Sequence, residues 1–315
     1  VRPLVAWTLL LQFDRARKGA FKSSLKKRDP ADHSANEDTD VHALRDEVMA
    51  VVGSNTQEHA WPLVLAAGVR KEFPPSATQS TAKVAIHNLS LKVDRGECLA
   101  LLGPNGAGKT TTLNMLTADT APSSGIIHIA DHDLSTNPEL ARSCMGLCPQ
   151  FDALTPSLTV RETLMLHGRV KGVPEPQLLS DVVKLIRSLG LDNFIDRRAG
   201  GLSGGNKRKL SLGIALIADP PVIFLDEPST GMDPVAKRFM WDTLAELRRH
   251  HAMILTTHSM EEADALASRI GIIVDGEMRC FCSPQRLKQL YGSGFKVELK
   301  AQDATALEQG MRVLE

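Results

Sequence analysis

Residues 103–110 read GPNGAGKT, a G-x-x-x-x-G-K-[ST] run between the apolar stretch 98–102 and the helix-prone stretch 111–116. No other feature constrains the fold as tightly, because such a loop joins a buried strand to the N-terminus of a helix in an α/β domain. Gly106 and Gly108 let the backbone turn around an anion, and Gly103, Pro104, Asn105 and Ala107 complete the loop. Its N–H groups and the helix N-terminus aim partial positive charge at phosphate oxygens. Lys109 is placed to reach the β- and γ-phosphates of a nucleotide, Thr110 to offer its hydroxyl to Mg²⁺, and Thr111 to add a phosphate hydrogen bond.

Residues 222–227, VIFLDE, place two acids directly behind an apolar run. A buried strand of this kind delivers Asp226 and Glu227 to the carboxyl edge of a parallel sheet. There Asp226 would hold Mg²⁺ through water, and Glu227 would polarise the water attacking the γ-phosphate, as general base or as an orienting acceptor. Acids before a proline, here Pro228, are commonplace as caps; the phosphate loop upstream is what gives this pair a chemical reading.

The remaining chain suits a domain built around these two elements. Of 315 residues, 43% are hydrophobic and 23% charged, which allows a sizeable core and excludes a disordered, collagen-like or coiled-coil chain. Basic and acidic residues balance at 37 each, so charge supplies no reason to expect a nucleic-acid partner. The five cysteines match neither zinc-knuckle spacing nor a secreted disulfide framework, and read as reduced thiols. No internal repeat is evident. From residue 61 onward short apolar runs alternate with helical periodicity, the pattern of an α/β domain with a largely parallel sheet. Strands are expected at 98–102, 126–130, 222–225, 253–257 and 270–274, with a hairpin turn at Asp275 and Gly276 and a further strand at 295–299. Leu164, Val182, Leu185, Ile186 and Leu189 carry a helical period through 156–196.

Residues 1–13 are apolar but too short to span a bilayer, which takes about 20 apolar residues. They run into Arg15, Arg17, Lys18, Lys22, Lys26, Lys27 and Arg28. Residues 1–28 therefore read either as the juxtamembrane stub of a transmembrane helix with its basic arm or as an ordinary amphipathic terminus. Residues 29–60 read as a linker holding a short helix at 41–52 and a loop at 53–58.

Between the two nucleotide elements, residues 202–210 read LSGGNKRKL, and here the sequence resembles the signature motif of ABC ATPases. The resemblance implies that two cassettes pair head to tail, Ser203, Gly204 and Gly205 of one closing over the nucleotide held by the other. A helix running from here to about residue 218 would aim its N-terminal N–H groups at that γ-phosphate, while Ser203 also caps it. Asn206 stands where the commonest family form has Gln. Gln150 resembles the Q-loop glutamine, which implies ligation of Mg²⁺ and transmission of nucleotide state to a membrane domain. His258, after the strand expected at 253–257, resembles the switch histidine that contacts the γ-phosphate and orients the attacking water. Asp233 resembles the D-loop aspartate that communicates across the dimer, and equally suits the N-cap of a helix starting near Pro234. Phe73 lies where the family places an adenine-stacking Tyr, and ordinary packing would also account for it. The runs LCPQFDAL at 147–154, NKRKLSL at 206–212, STGMDP at 229–234, HSMEE at 258–262 and YGSGF at 291–295 narrow the resemblance to the A subfamily, mostly large lipid exporters, and to its second cassette.

The fold so implied is the ABC-ATPase form of the P-loop NTPases: an α/β cassette over about 61–290 with a mainly parallel core sheet, an antiparallel β subdomain and a helical subdomain over about 156–218. Residues 291–315 would begin a C-terminal regulatory-type domain. The resemblance implies binding of ATP and Mg²⁺, hydrolysis through Glu227 and His258, and movement of a lipid-like substrate. The implied partners are a second ABC cassette in the same parent chain and transmembrane domains, with no nucleic acid, the cassette lying on the cytosolic side of a multi-pass membrane protein. Two other readings stand beside it: a soluble ABC-type ATPase acting on nucleic acid or ribosomes, and a nucleotide-binding regulator without turnover. The balanced charge, the basic arm and the lack of a long coiled-coil insertion weigh against the first, and the intact Glu227 and His258 against the second.

Overall fold

The computed structural model describes residues 39–53, 61–75 and 82–291. The arm at 1–28, residues 29–38 and 54–60 of the expected linker, and residues 292–315, with the strand expected at 295–299, lie outside the described residues.

In chain order, helix Thr39–Gly53 (α1) precedes strands Val64–Phe73 (β1), Lys83–Val93 (β2) and Cys98–Leu102 (β3). Helix Lys109–Leu116 (α2) leaves the phosphate loop and is followed by Ser124–Ile129 (β4), His132–Asp133 (β5), Pro138–Ser143 (α3) and Met145–Cys148 (β6). Helices Val160–Val170 (α4), Glu175–Ser188 (α5) and Gly204–Leu216 (α6) come next. The chain then runs through Val222–Asp226 (β7), Pro234–Leu247 (α7), Ala252–Thr257 (β8), Met260–Leu266 (α8), Arg269–Val274 (β9), Glu277–Cys282 (β10) and Pro284–Tyr291 (α9).

Among the described residues these strands form two sheets. One has the order β2-β1-β4-β5 and is antiparallel throughout. The other has the order β10-β9-β3-β8-β7-β6, with β9, β3, β8, β7 and β6 parallel and β10 returning antiparallel through the turn at Asp275 and Gly276. The φ of 50° at Asp275 and 78° at Gly276 are those of the tight hairpin that the Asp-Gly pair predicts.

Strands β3, β7 and β8 are buried at every residue, and their alternation divides the core in two. Cys98, Ala100, Ile223, Leu225, Met253 and Leu255 face a cluster shared with the helices, through residues such as Leu164, Val182 and Ile186. Leu99, Leu101, Val222, Phe224 and Ile254 face the antiparallel sheet and α2. Helix α4 begins with a capping box: Glu162 N–H donates to Thr159 Oγ1 at 3.2 Å, and Thr159 N–H donates to Glu162 Oε2 at 2.8 Å. These bonds hold the Glu162 carboxyl below its usual range.

Helix α1 falls within the stretch expected to be linker, yet Val41, Leu44 and Val48 are buried in the same core cluster as β1 and β2. Their spacing puts them on one helix face, and Glu47 adds an ion pair to Lys92 at 2.6 Å. The compact unit accordingly starts at Thr39, earlier than the boundary expected at 61. A short apolar stripe becomes core only when a sheet is present to receive it, and that sheet forms later in the chain.

Candidate functional site

Strands β3, β8, β7 and β6 lie side by side and parallel, so the segments leaving them emerge at one edge of the sheet. The phosphate loop leaves β3, His258 follows β8, Glu227 follows β7 and Gln150 follows β6. Sheet order brings together residues that lie far apart in sequence.

The loop at 103–108 is pressed between β2 and the β9–β10 turn. Gly108 has φ 109°, and a Cβ there would lie 2.6 Å from Ile86 Cδ1 and 2.9 Å from Ala85 O, so no side chain fits. At Gly103 a Cβ would meet Ile273 O at 2.2 Å. Gly276 N–H donates to Ala107 O at 2.9 Å, tying the hairpin turn to the loop. Lys109 is 7% exposed, and its Nζ donates to Gly103 O at 2.7 Å and Pro104 O at 3.1 Å. Burial lowers its pKa, while the carboxylates of Glu227 and Asp226 raise it. Its partners in the loop are neutral carbonyls, which an anionic phosphate can replace with a stronger, charge-assisted contact. Asn105, Gly106, Thr110 and Thr111 line the same cleft, of about 700 Å³, which falls in the usual small-ligand range.

Glu227 sits at φ 46°, its N–H donating to Thr256 O at 3.1 Å. Its Oε1 lies 3.2 Å from His258 Nδ1. Its Oε2 accepts from Thr230 Oγ1 at 3.1 Å and from Gln150 Nε2 at 3.4 Å. Asp226 is buried, and its Oδ1 accepts the Thr256 hydroxyl. That bond leaves Oδ2 as the second acceptor of the Asp226 carboxylate. With its amide nitrogen engaged by Glu227, Gln150 has its side-chain oxygen for another role. Thr110 Oγ1, Gln150 Oε1 and the Asp226 carboxylate are hard oxygen donors of the kind Mg²⁺ takes.

The other expected site residues occupy separate positions. Phe73, at the end of β1, lines the cleft, with Lys71 Nζ 5.0 Å from its ring centroid. Ser203 and Gly204 are exposed and Gly205 half-buried, at the start of α6, and none of the three lines the cleft. Ser203 Oγ accepts from Asn206 N–H at 3.3 Å. Asp233 Oδ1 accepts from Val235 and Ala236 N–H, both at 3.0 Å, as the N-cap of α7.

Sequence reasoning missed two groups. Lys83, Val84, Ala85, His87, Asp275 and Gly276 line the cleft but belong to none of the nucleotide-binding motifs. The Asp-Gly turn is readable, while its contact with the phosphate loop depends on sheet order. Arg208, inside the quoted LSGGNKRKL run, is buried under the segments that carry Gln150 and Glu227; flanked by Lys207 and Lys209, it reads in sequence as one of three consecutive cations, with no signal of burial.

Comparison with known proteins places this geometry in context. The ABC transporter family profile matches residues 86–230. The chain is 45% identical over 267 residues to "Phospholipid-transporting ATPase ABCA3" of Homo sapiens, covering 84% of this chain and 15% of that protein. It is 48% identical over 217 residues to "ATP-binding cassette sub-family A member 7" of Rattus norvegicus, covering 69% of this chain and 10% of that protein. It thus spans only a small part of the length of these relatives. Among solved structures, the "Structure of ATP binding subunit of ABC transporter" aligns with a TM-score of 0.64 at 24% identity, covering 80% of this chain and 99% of that one. An ATP-binding cassette in a dimeric post-hydrolysis state bound to ADP and Pi aligns with the same TM-score of 0.64 at 23% identity, covering 70% of this chain and 98% of that one. At these identities the structural likeness concerns the fold.

Proposed function

This chain belongs to the ABC transporter family as an ATP-binding domain homologous to A-subfamily members, and from that premise we propose that it hydrolyses MgATP to drive movement of a lipid-like substrate by transmembrane domains. The observation that carries the hydrolytic reading is the Glu227 carboxylate, held between His258, Thr230 and Gln150 in the cleft that also holds Lys109.

Lys109 and the loop N–H groups bind the β- and γ-phosphates, and Phe73 stacks on the adenine. Glu227 accepts a hydrogen of the attacking water, and His258 orients that water from the other side of the carboxylate. Thr110, Gln150 and Asp226 hold Mg²⁺, which when bound neutralises phosphate charge. Ser203, Gly204, Gly205 and Asp233, set away from the cleft, serve a second cassette paired head to tail; the dimeric state named for one structural neighbour supports that pairing. The relatives' name as phospholipid-transporting ATPases supports a lipid-like substrate and a multi-pass membrane parent, with this cassette on its cytosolic side. Among the described residues no helix is long and apolar enough to cross a membrane.

Steady-state ATPase activity of the whole chain, measured with Mg²⁺ over a range of protein concentrations, tests the proposal. Turnover is expected to rise faster than linearly with protein and to vanish in Lys109→Ala. Glu227→Gln is expected to retain ATP binding and to lose about 10²–10⁴-fold in turnover, the usual worth of a positioned base. Tight binding without turnover at any concentration would favour a regulatory cassette, and undiminished turnover in Glu227→Gln would remove Glu227 from the chemistry.

A further inference from the structure

Arg208 lies in the N-terminal half of α6, the helix capped by Ser203, and its side chain is 4% exposed. Its guanidinium reaches two segments at once. Toward the end of β7, Nε donates to Pro228 O at 2.8 Å, and Nη2 donates to Asp226 O at 2.6 Å and Glu227 O at 3.1 Å. Toward the segment after β6, Nη1 donates to Pro149 O, to Gln150 O at 3.3 Å and to Asp152 Oδ1 at 3.4 Å.

A cation this deeply buried is costly to keep, and an apolar residue of similar volume often serves a core as well or better. What an apolar residue cannot do is hold five backbone carbonyls from two segments at once, which the rigid guanidinium fork does. The two backbones it grips are those of Gln150 and Glu227, whose side chains meet at 3.4 Å. The separation of those side chains is therefore set from below by a group that touches neither of them. Glu227 also needs such support because its φ of 46° is one that non-glycine residues rarely adopt.

We propose that Arg208 is a positioning residue for hydrolysis: it locks the backbones of Gln150 and Glu227 into one frame and ties that frame to the helix whose first turn carries Ser203, Gly204 and Gly205. Displacement of the exposed start of α6 by a second cassette is thereby transmitted to the carboxylate that acts on water in this one. The proposal rests on ATP hydrolysis at this cleft.

The test uses the full chain and the variants Arg208→Lys, which keeps the charge and loses the fork, and Arg208→Met, which keeps the stem. Both are expected to lower kcat by about 100-fold, the effect of misplacing a reacting group by about 1 Å. The KM for MgATP should stay within about threefold of wild type, because phosphate binding is untouched. Amide hydrogen exchange should accelerate about tenfold at 150–152 and 226–230 in both variants while 210–216, in the same helix, is unchanged. Wild-type kcat in Arg208→Lys, a rise in KM that accounts for the whole loss, or exchange that rises equally along α6 would each overturn the proposal in favour of general packing. Equal turnover in wild type and Lys109→Ala would instead overturn the hydrolytic reading, and the exchange pattern would still decide whether Arg208 joins the two segments.

Discussion

Glu227 and Gly108, both lining the cleft, hold backbone conformations that ordinary side chains resist, and they do so for opposite reasons. Glu227 occupies φ 46° although it has a side chain, a state costing on the order of 1–3 kcal/mol that persists only when neighbours over-determine it. The Thr256 carbonyl takes its N–H, Arg208 its carbonyl, and Thr230 and His258 its carboxylate. Gly108 occupies φ 109° because it lacks a side chain, and the space a Cβ would need is filled by β2. Gly108→Ala therefore combines backbone strain with a clash, and is expected to lose roughly 2–4 kcal/mol of stability together with measurable ATP binding. Thermal unfolding and calorimetric titration with MgATP check this. Affinity within a few-fold of wild type would mean that the loop does not cradle phosphate in the conformation seen here.

Helix termini serve this fold twice over, as stability devices and as presented surfaces. Asp233 satisfies two N–H groups of α7 and also stands in the expected dimer-facing loop, so alanine substitution alone would confuse the two roles. Asparagine caps as well as aspartate. Asp233→Asn is expected to keep the unfolding midpoint while lowering turnover, whereas Asp233→Ala should lose about 1 kcal/mol of stability as well. If Asp233→Asn turns over like wild type, the residue is a cap and nothing more. The same division explains what was legible beforehand. The phosphate loop, the acids at the end of β7 and the Asp-Gly turn are local patterns, written within a few residues, and each forms where it was expected. Lys83, His87 and Arg208 carry no local pattern. Their positions follow from β2 lying over the loop and α6 lying under the turn after β7, relations that exist only once the sheet order is set.

At the scale of the whole molecule, the parallel sheet is a partition between two apolar clusters, and α1 belongs to one of them. Its sequence is short and weakly patterned, and an isolated helix of this length is marginal in water. Burial decides the matter: Val41, Leu44 and Val48 are 4%, 3% and 0% exposed. Ion pairs from Glu47 to Lys92 and from Asp40 to Arg286 sit at the rim, where such pairs add little. Full burial of three such side chains is worth roughly 4–8 kcal/mol as an upper estimate, a large part of the stability of an ordinary domain. A chain beginning at residue 61 would uncover the parts of β1, β2 and β10 against which α1 now packs. It is expected to unfold about 1 M or more lower in urea than a chain beginning at residue 39, and to expose apolar surface detectable by dye binding. Equal midpoints would show that α1 is carried on the sheet without supporting it, and that the cassette folds from residue 61.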